Sequence, residues 1–183
     1  MRTRWLPIGV VFVALVASGV FFGPGLGGKN EQPTQALKHY DGAEVAFDYP
    51  ALYALQTHAD SYAGKPVAAL TLIDAGIAVP DMSEGPPGIA VLMVSQGTTT
   101  DIGQWVRGNS ISNFGGLSMD YTLAPAAVGG EPAVSYRYSG LYETDAYAVA
   151  RNGTVYLFFG SWSGESDQIR TDFKNLVNSV TFK

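Results

Sequence analysis

The stretch Thr154-Val155-Tyr156-Leu157-Phe158-Phe159 carries the fold argument. In a strand, Val155, Leu157 and Phe159 point to one face, and Tyr156 and Phe158 to the other. A strand with one solvated face alternates apolar and polar residues, and this one does not. Both of its faces must therefore be covered. Just upstream, Asn152-Gly153 has the residue types that accept positive φ in a tight turn. Ala146 to Ala150 supplies the other arm of that hairpin.

Outward from the hairpin, the pattern alternates between strands and two helices. Ile169, Phe173, Leu176, Val177 and Val180 recur at helical spacing, which predicts a helix from about Glu165 to Asn178 with one buried face. Glu165 and Asp167 would then sit in its first turn and complement its dipole. Thr98-Thr99-Thr100 before Asp101-Ile102-Gly103-Gln104-Trp105-Val106 predicts a threonine-capped short helix. Val67 to Ile73 and Ile89 to Val94 are continuous apolar runs of strand length, separated by an irregular loop from Pro80 to Gly88. Met119 to Leu123 and Ala133 to Tyr138 predict two further strands. Leu37 to Tyr40 and Ala43 to Tyr49 flank Asp41-Gly42, a two-residue hairpin turn. The expected fold class is α/β (α+β): an antiparallel β-sheet flanked by helices on both faces, an α-β-α sandwich, preceded by one N-terminal transmembrane helix.

That helix is expected within residues 1–22. Arg2 and Arg4 precede an uncharged run from Trp5 to Phe22, which falls low in the spanning range of about 17–25 residues. It is long for a cleaved signal, whose apolar region runs roughly 7–15 residues. An uncleaved anchor is the first reading, and a cleaved secretory signal using Val16-Ala17-Ser18 is the alternative. Both put the remainder outside the cytoplasm, since the arginines hold the N-terminus inside. Gly23-Pro24-Gly25-Leu26-Gly27-Gly28-Lys29 fits a phosphate-loop pattern by spacing. It lacks the hydroxyl residue after the lysine and follows an apolar segment instead of a strand. Residues 23–36 are read as a flexible Gly/Pro-rich linker, and residues 37–183 as one extracytoplasmic domain.

Composition narrows the partners. The body keeps nine of the 11 basic residues and all 16 acidic ones, about −7. With no basic cluster, nucleic acid and anionic lipid headgroups are poor partners. The chain has no cysteine, so it carries neither a disulfide nor a thioether lipid anchor. His39 and His58 are the only histidines, and each reads as a surface residue. Gly160-Ser161-Trp162-Ser163-Gly164 has tryptophan where a nucleophile elbow needs serine. Glu143 and Asp145 share a strand face, and Asp81 and Glu84 sit in the proline-rich loop near Asp74. Such pairs can do acid–base work or hold calcium, but no calcium-loop spacing is present. No catalytic, cofactor-binding or metal residue is assigned. Tyr62, Tyr142 and Trp162, read as loop aromatics with the last two at or near strand ends, are the candidate interaction surface.

Several motifs in the same order resemble the PsbP-like domain family of the Mog/PsbP/LpqN-like superfamily. Phe47-Asp48-Tyr49-Pro50 with Leu52-Tyr53 resembles its entry motif. Ile102 to Val106 resembles its short helix, and Val128-Gly129-Gly130-Glu131-Pro132-Ala133 its glycine turn. Asn152-Gly153-Thr154-Val155-Tyr156, then Phe173-Lys174-Asn175-Leu176-Val177-Asn178-Ser179-Val180-Thr181-Phe182, resembles its tail. The likeness runs over roughly residues 38–183. It departs in having Tyr53 where tryptophan is usual, and in lacking both a lipobox cysteine and recognisable metal-site histidines. The resemblance implies the α-β-α sandwich and a non-catalytic accessory or adaptor role. The expected partner is another envelope or membrane protein. A small-ligand or lipid-binding module, with a pocket between sheet and helix, is the alternative.

Overall fold

A computed structural model describes residues 35–62, 65–77, 85–97, 101–118 and 120–183. The expected anchor at 1–22, the phosphate-loop look-alike, the Thr98–Thr100 cap, Asp81 and Glu84 lie outside these residues. Among the described residues no helix is long and apolar enough to cross a membrane.

The chain runs through β1 (Leu37–Asp41), β2 (Val45–Pro50), β3 (Tyr53–Tyr62), β4 (Lys65–Asp74) and β5 (Ile89–Ser95). Next come α1 (Ile102–Gly108), a 3-10 turn (Ser110–Ser112) and α2 (Phe114–Leu117). Then follow β6 (Ala124–Val128), β7 (Glu131–Ser139), β8 (Glu143–Arg151), β9 (Thr154–Trp162), α3 (Gln168–Ser179) and β10 (Thr181–Phe182). Seven strands form one antiparallel sheet in the order β3-β4-β5-β9-β8-β7-β6, and β1-β2-β10 form a second sheet.

The expected α-β-α sandwich is overturned. Strands hold 53% of the described residues and helices 20%, so helices cannot form two full layers. One face of the large sheet is covered by the small sheet with α3 beside it. Val45, Phe47 and Tyr49 of β2 pack there with Phe173, Leu176 and Val177 against Tyr156 and Phe158. The other face is covered by α1, the 3-10 turn and α2, where Trp105, Val106 and Phe114 meet Val155, Leu157 and Phe159. The reason is reach. A twelve-residue helix is about 18 Å long, whereas seven strands span about 29 Å. A second sheet fills what α3 leaves bare.

The central hairpin is as its sequence predicts, with Asn152 at φ 49° and Gly153 at φ 76°. Other boundaries move. Asp41 belongs to β1, and the turn widens to Gly42–Glu44, closed by Gly42 N–H donating to the Val45 carbonyl. Asp101 itself caps α1, its Oδ1 accepting the Gln104 N–H at 2.9 Å. Glu165 and Asp167 precede α3, and Asp167 Oδ2 accepts the Ser163 and Gly164 amides instead. The strand expected at 119–123 begins at Ala124. His58 lies within β3, exposed as its sequence reading expects.

Candidate functional site

Strand register assembles the most chemically featured surface. Arg137 of β7 lies opposite Asp145 of β8, and Asp145 lies opposite Gly160 of β9. With no side chain at Gly160, α3 approaches the sheet closely and brings Arg170 in. Arg137 Nε donates to Asp145 Oδ1 at 2.9 Å, and Arg170 Nε donates to Asp145 Oδ2 at 3.0 Å. Glu165 takes the outer nitrogens of both arginines: Arg137 Nη1 at 3.5 Å, and Arg170 Nη1 in closer contact. Two carboxylates thus hold two guanidinium groups in place, through charge-assisted hydrogen bonds.

Both guanidinium groups lie over Trp162, with Arg170 Cζ 4.6 Å and Arg137 Cζ 5.1 Å from the ring centroid. Each is within cation–π range. Trp162 is only 3% exposed, and its Nε1–H meets no acceptor among the described residues. It ends β9 and reaches the surface through the arginines above it, so it is not an exposed loop aromatic. Tyr142 precedes Glu143, the register partner of Trp162, and its hydroxyl donates to the Gly85 carbonyl at 3.2 Å. Tyr142 and Trp162 therefore come together at one end of the sheet. Tyr62 ends β3 at the opposite end and edge; its side chain lies outside the described residues.

Beside the arginines opens a surface cleft of about 510 Å³ whose lining includes Asp120, Arg137, Asp145, Tyr147, Arg170 and Lys174. Burial first, and then the Asp145 charge, raises the Tyr147 hydroxyl above the ordinary phenol value. Tyr147 is thus a neutral hydrogen-bond donor at physiological pH. The cleft offers guanidinium, ammonium, hydroxyl and carboxylate groups on a fixed frame, which suits a polar, charge-patterned partner surface.

Two further clefts flank the small sheet. One, of about 430 Å³, lies under the β1–β2 turn and is lined largely by Tyr40, Ala59, Pro66, Ala68 and Met93, with Glu44 at its edge. Tyr156 donates to Glu44 Oε2 at 2.8 Å. The other, of about 740 Å³, runs between β2 and α3 and has Asp172 in its wall. Asp172 is 2% exposed and accepts from Tyr53 Oη at 2.8 Å and Gln168 Nε2 at 2.9 Å.

The acidic pairs singled out in the sequence are already engaged where they are described. Asp145 is bound to two arginines, Glu143 accepts the Ser139 hydroxyl at 2.8 Å, and Asp74 accepts the Gly76 amide at 2.8 Å. His39 pairs with Asp48 at 2.7 Å on the surface. Among the described residues, no three side chains of metal-ligand type cluster. Sequence reasoning missed Arg137 and Arg170. Arg137 is the lone basic residue of β7, Arg170 shares the amphipathic α3 with Lys174, and only the register and the Gly160 gap join the two arginines.

No protein-family model matches the chain, and no curated protein matches it.

Proposed function

We propose that the chain is a membrane-tethered, extracytoplasmic domain of PsbP-like type, serving as a non-catalytic accessory to another envelope protein. The proposal does not lean on the sandwich, which the structure overturns. It leans on the apolar segment at residues 1–22, the ordered motifs of residues 38–183, and one structural observation. Arg137 and Arg170, held rigid by shared carboxylates over Trp162, border a cleft that also presents Tyr147 and Lys174. Tryptophan, tyrosine and arginine are the residue types that dominate binding energy at protein interfaces. Ion pairs that fix the arginines beforehand lower the entropy lost on docking.

The test places a photo-crosslinking residue at Lys174 in the full-length chain, and at Ser95 on the opposite end as control. Membranes are irradiated and the products identified by mass spectrometry. One protein captured in near-stoichiometric amount from position 174, and not from 95, supports the accessory role. Recovery of the bait alone, in membranes where known complexes crosslink, removes it.

A ligand-binding role is favoured by a different observation, the largely apolar cleft under the β1–β2 turn. Native mass spectrometry of the purified chain tests it. A bound small molecule lost on Met93→Trp would support this second role, and an unliganded mass would remove it.

A further inference from the structure

Five large apolar side chains stand exposed among the described residues: Leu37, Ile77, Leu117, Tyr121 and Leu141, between 43% and 63% accessible. The register shows where they are. Tyr53 faces Asp74, Leu72 faces Ile89, Ile89 faces Gly160, Gly160 faces Asp145, and Asp145 faces Arg137. This row marks one end of the large sheet. Ile77 lies in the turn that follows β4 at this end, and Leu141 lies in the β7–β8 turn. Leu117 Cδ1 comes within 3.5 Å of the point where a Gly140 side chain would begin. The Tyr121 amide donates to Ser118 Oγ at 3.1 Å, just before β6 starts at the same end. Leu37 opens β1 opposite Pro50, three residues before Tyr53. All five are at one end.

The opposite end is different. Its described turns are Gly42-Ala43-Glu44, Gln96-Gly97, Gly129-Gly130 and Asn152-Gly153, and no large exposed apolar side chain is found among them. The asymmetry coincides with the path of the chain. Residues 35 and 36 lead into β1 at the apolar end, where the Ala36 carbonyl accepts the Ala51 amide at 2.8 Å. The twelve residues 23–34 that separate this entry from the segment of residues 1–22 can span at most about 43 Å. The chain that follows residues 1–22 therefore enters the domain at its apolar end.

The spread of the five identifies the occupant. They lie from the β4 turn to the β6 entry, across most of a sheet about 29 Å wide, on both covering layers. A single protein partner engages a contiguous patch with a packed centre, whereas a planar bilayer meets a scattered rim. Tyrosine and leucine suit the boundary between headgroups and acyl chains. The acidic body disfavours anionic headgroups. We propose that this end of the domain rests on a zwitterionic lipid surface, with Leu37, Ile77, Leu117, Tyr121 and Leu141 seated at the headgroup boundary. This rests on reading residues 1–22 as the attachment to the same bilayer.

The full-length chain has no cysteine, so single-site labelling is clean. Ile77→Cys, Leu141→Cys and, at the far end, Ser95→Cys would each carry an environment-sensitive fluorophore. Each variant is reconstituted into phosphatidylcholine vesicles containing a lipid-borne quencher. The proposal expects severalfold stronger quenching at 77 and 141 than at 95. Alkaline carbonate washing reports attachment separately. A chain retained by the membrane but quenched equally at all three sites overturns the lipid contact and leaves the attachment standing. A chain washed off yet quenched selectively at 77 and 141 when bound supports the contact and overturns the attachment. A chain washed off with no selective quenching overturns both.

Discussion

The ring of Phe173 lies directly on the backbone of Gly160. A Cβ placed at Gly160 would fall 2.3 Å from Phe173 Cγ and 2.4 Å from Cδ1. Phe173 is fully buried and closes the core between α3 and the large sheet. Gly160→Ala should cost about 2–3 kcal/mol, because overpacking a filled core displaces its neighbours. Phe173→Leu in the same chain makes room and should recover part of that loss. Urea titration of the two single variants and the double variant checks this; additive losses would mean that the two residues do not share the contact.

Tyr53 ties the start of β3 to α3 through buried Asp172. Burial chiefly, and then Asp172, raises the Tyr53 hydroxyl well above 10.0. Burial likewise raises Tyr136, and burial followed by Glu44 raises Tyr156. These phenols keep their protons in the folded chain after the unfolded chain has begun to lose its own. Their contribution is complete below the unfolded value of about 10 and is lost as pH rises above it. Thermal unfolding between pH 8 and 11.5 should therefore show a flat region and then a decline. Tyr53→Phe should shallow the decline while lowering stability near neutral pH by about 1–3 kcal/mol, since Asp172 loses a donor.

Asp145 is the keystone of the arginine pair. Asp145→Ala releases two charge-assisted bonds at a site whose side chains are 16% and 18% exposed, and should cost about 2 kcal/mol. It should also shift the fluorescence of Trp162, because both cations are then free to leave the ring. Arg170→Lys should not restore the wild-type spectrum, as an ammonium cannot lie flat on the indole while bonding a carboxylate. If the arginine pair docks a partner, Arg137→Ala should weaken capture by roughly 30-fold, the effect of an interface residue worth about 2 kcal/mol, with the fold intact by circular dichroism.

Gly153 sits at φ 76° in the β8–β9 turn. Gly153→Ala forces an L side chain into the left-handed region and should cost about 1–2 kcal/mol. Asn152→Gly at φ 49° should be close to neutral. Equal losses at both positions would show that the turn does not govern the hairpin.

Much of the large sheet was legible because its central strands are extreme. The run from Val155 to Phe159 and the Asn152-Gly153 turn admit few alternatives, and β4 and β5 are nearly unbroken apolar runs. β3 was not legible. Its middle, Gln56-Thr57-His58-Ala59, is exposed along an edge, so it shows neither alternation nor an apolar run. The second sheet was hidden for another reason. β10 is two residues long, too short to show a strand pattern, yet it completes β2 from the other side. With that sheet unseen, the cover on one face was credited to helices. The site was half legible: Tyr142 and Trp162 show as aromatics near strand ends, but the arginines that hold Trp162 are joined only by pairing across three strands and by the approach of α3 over Gly160.

β2 is flanked by β1 on one side and by β10 on the other, with Thr181 opposite Ala46 and Phe182 opposite Val45. The second strand of the chain is thus completed by the last. A chain emerging N-terminus first carries Val45, Phe47 and Tyr49 without their cover until α3 and β10 have followed, and contacts of such long sequence separation form slowly. The N-terminal part of this domain cannot fold ahead of the rest. Its synthesis passes through a long interval in which a strand with five of its six residues destined for the interior is open to any holding factor, or to another copy of itself.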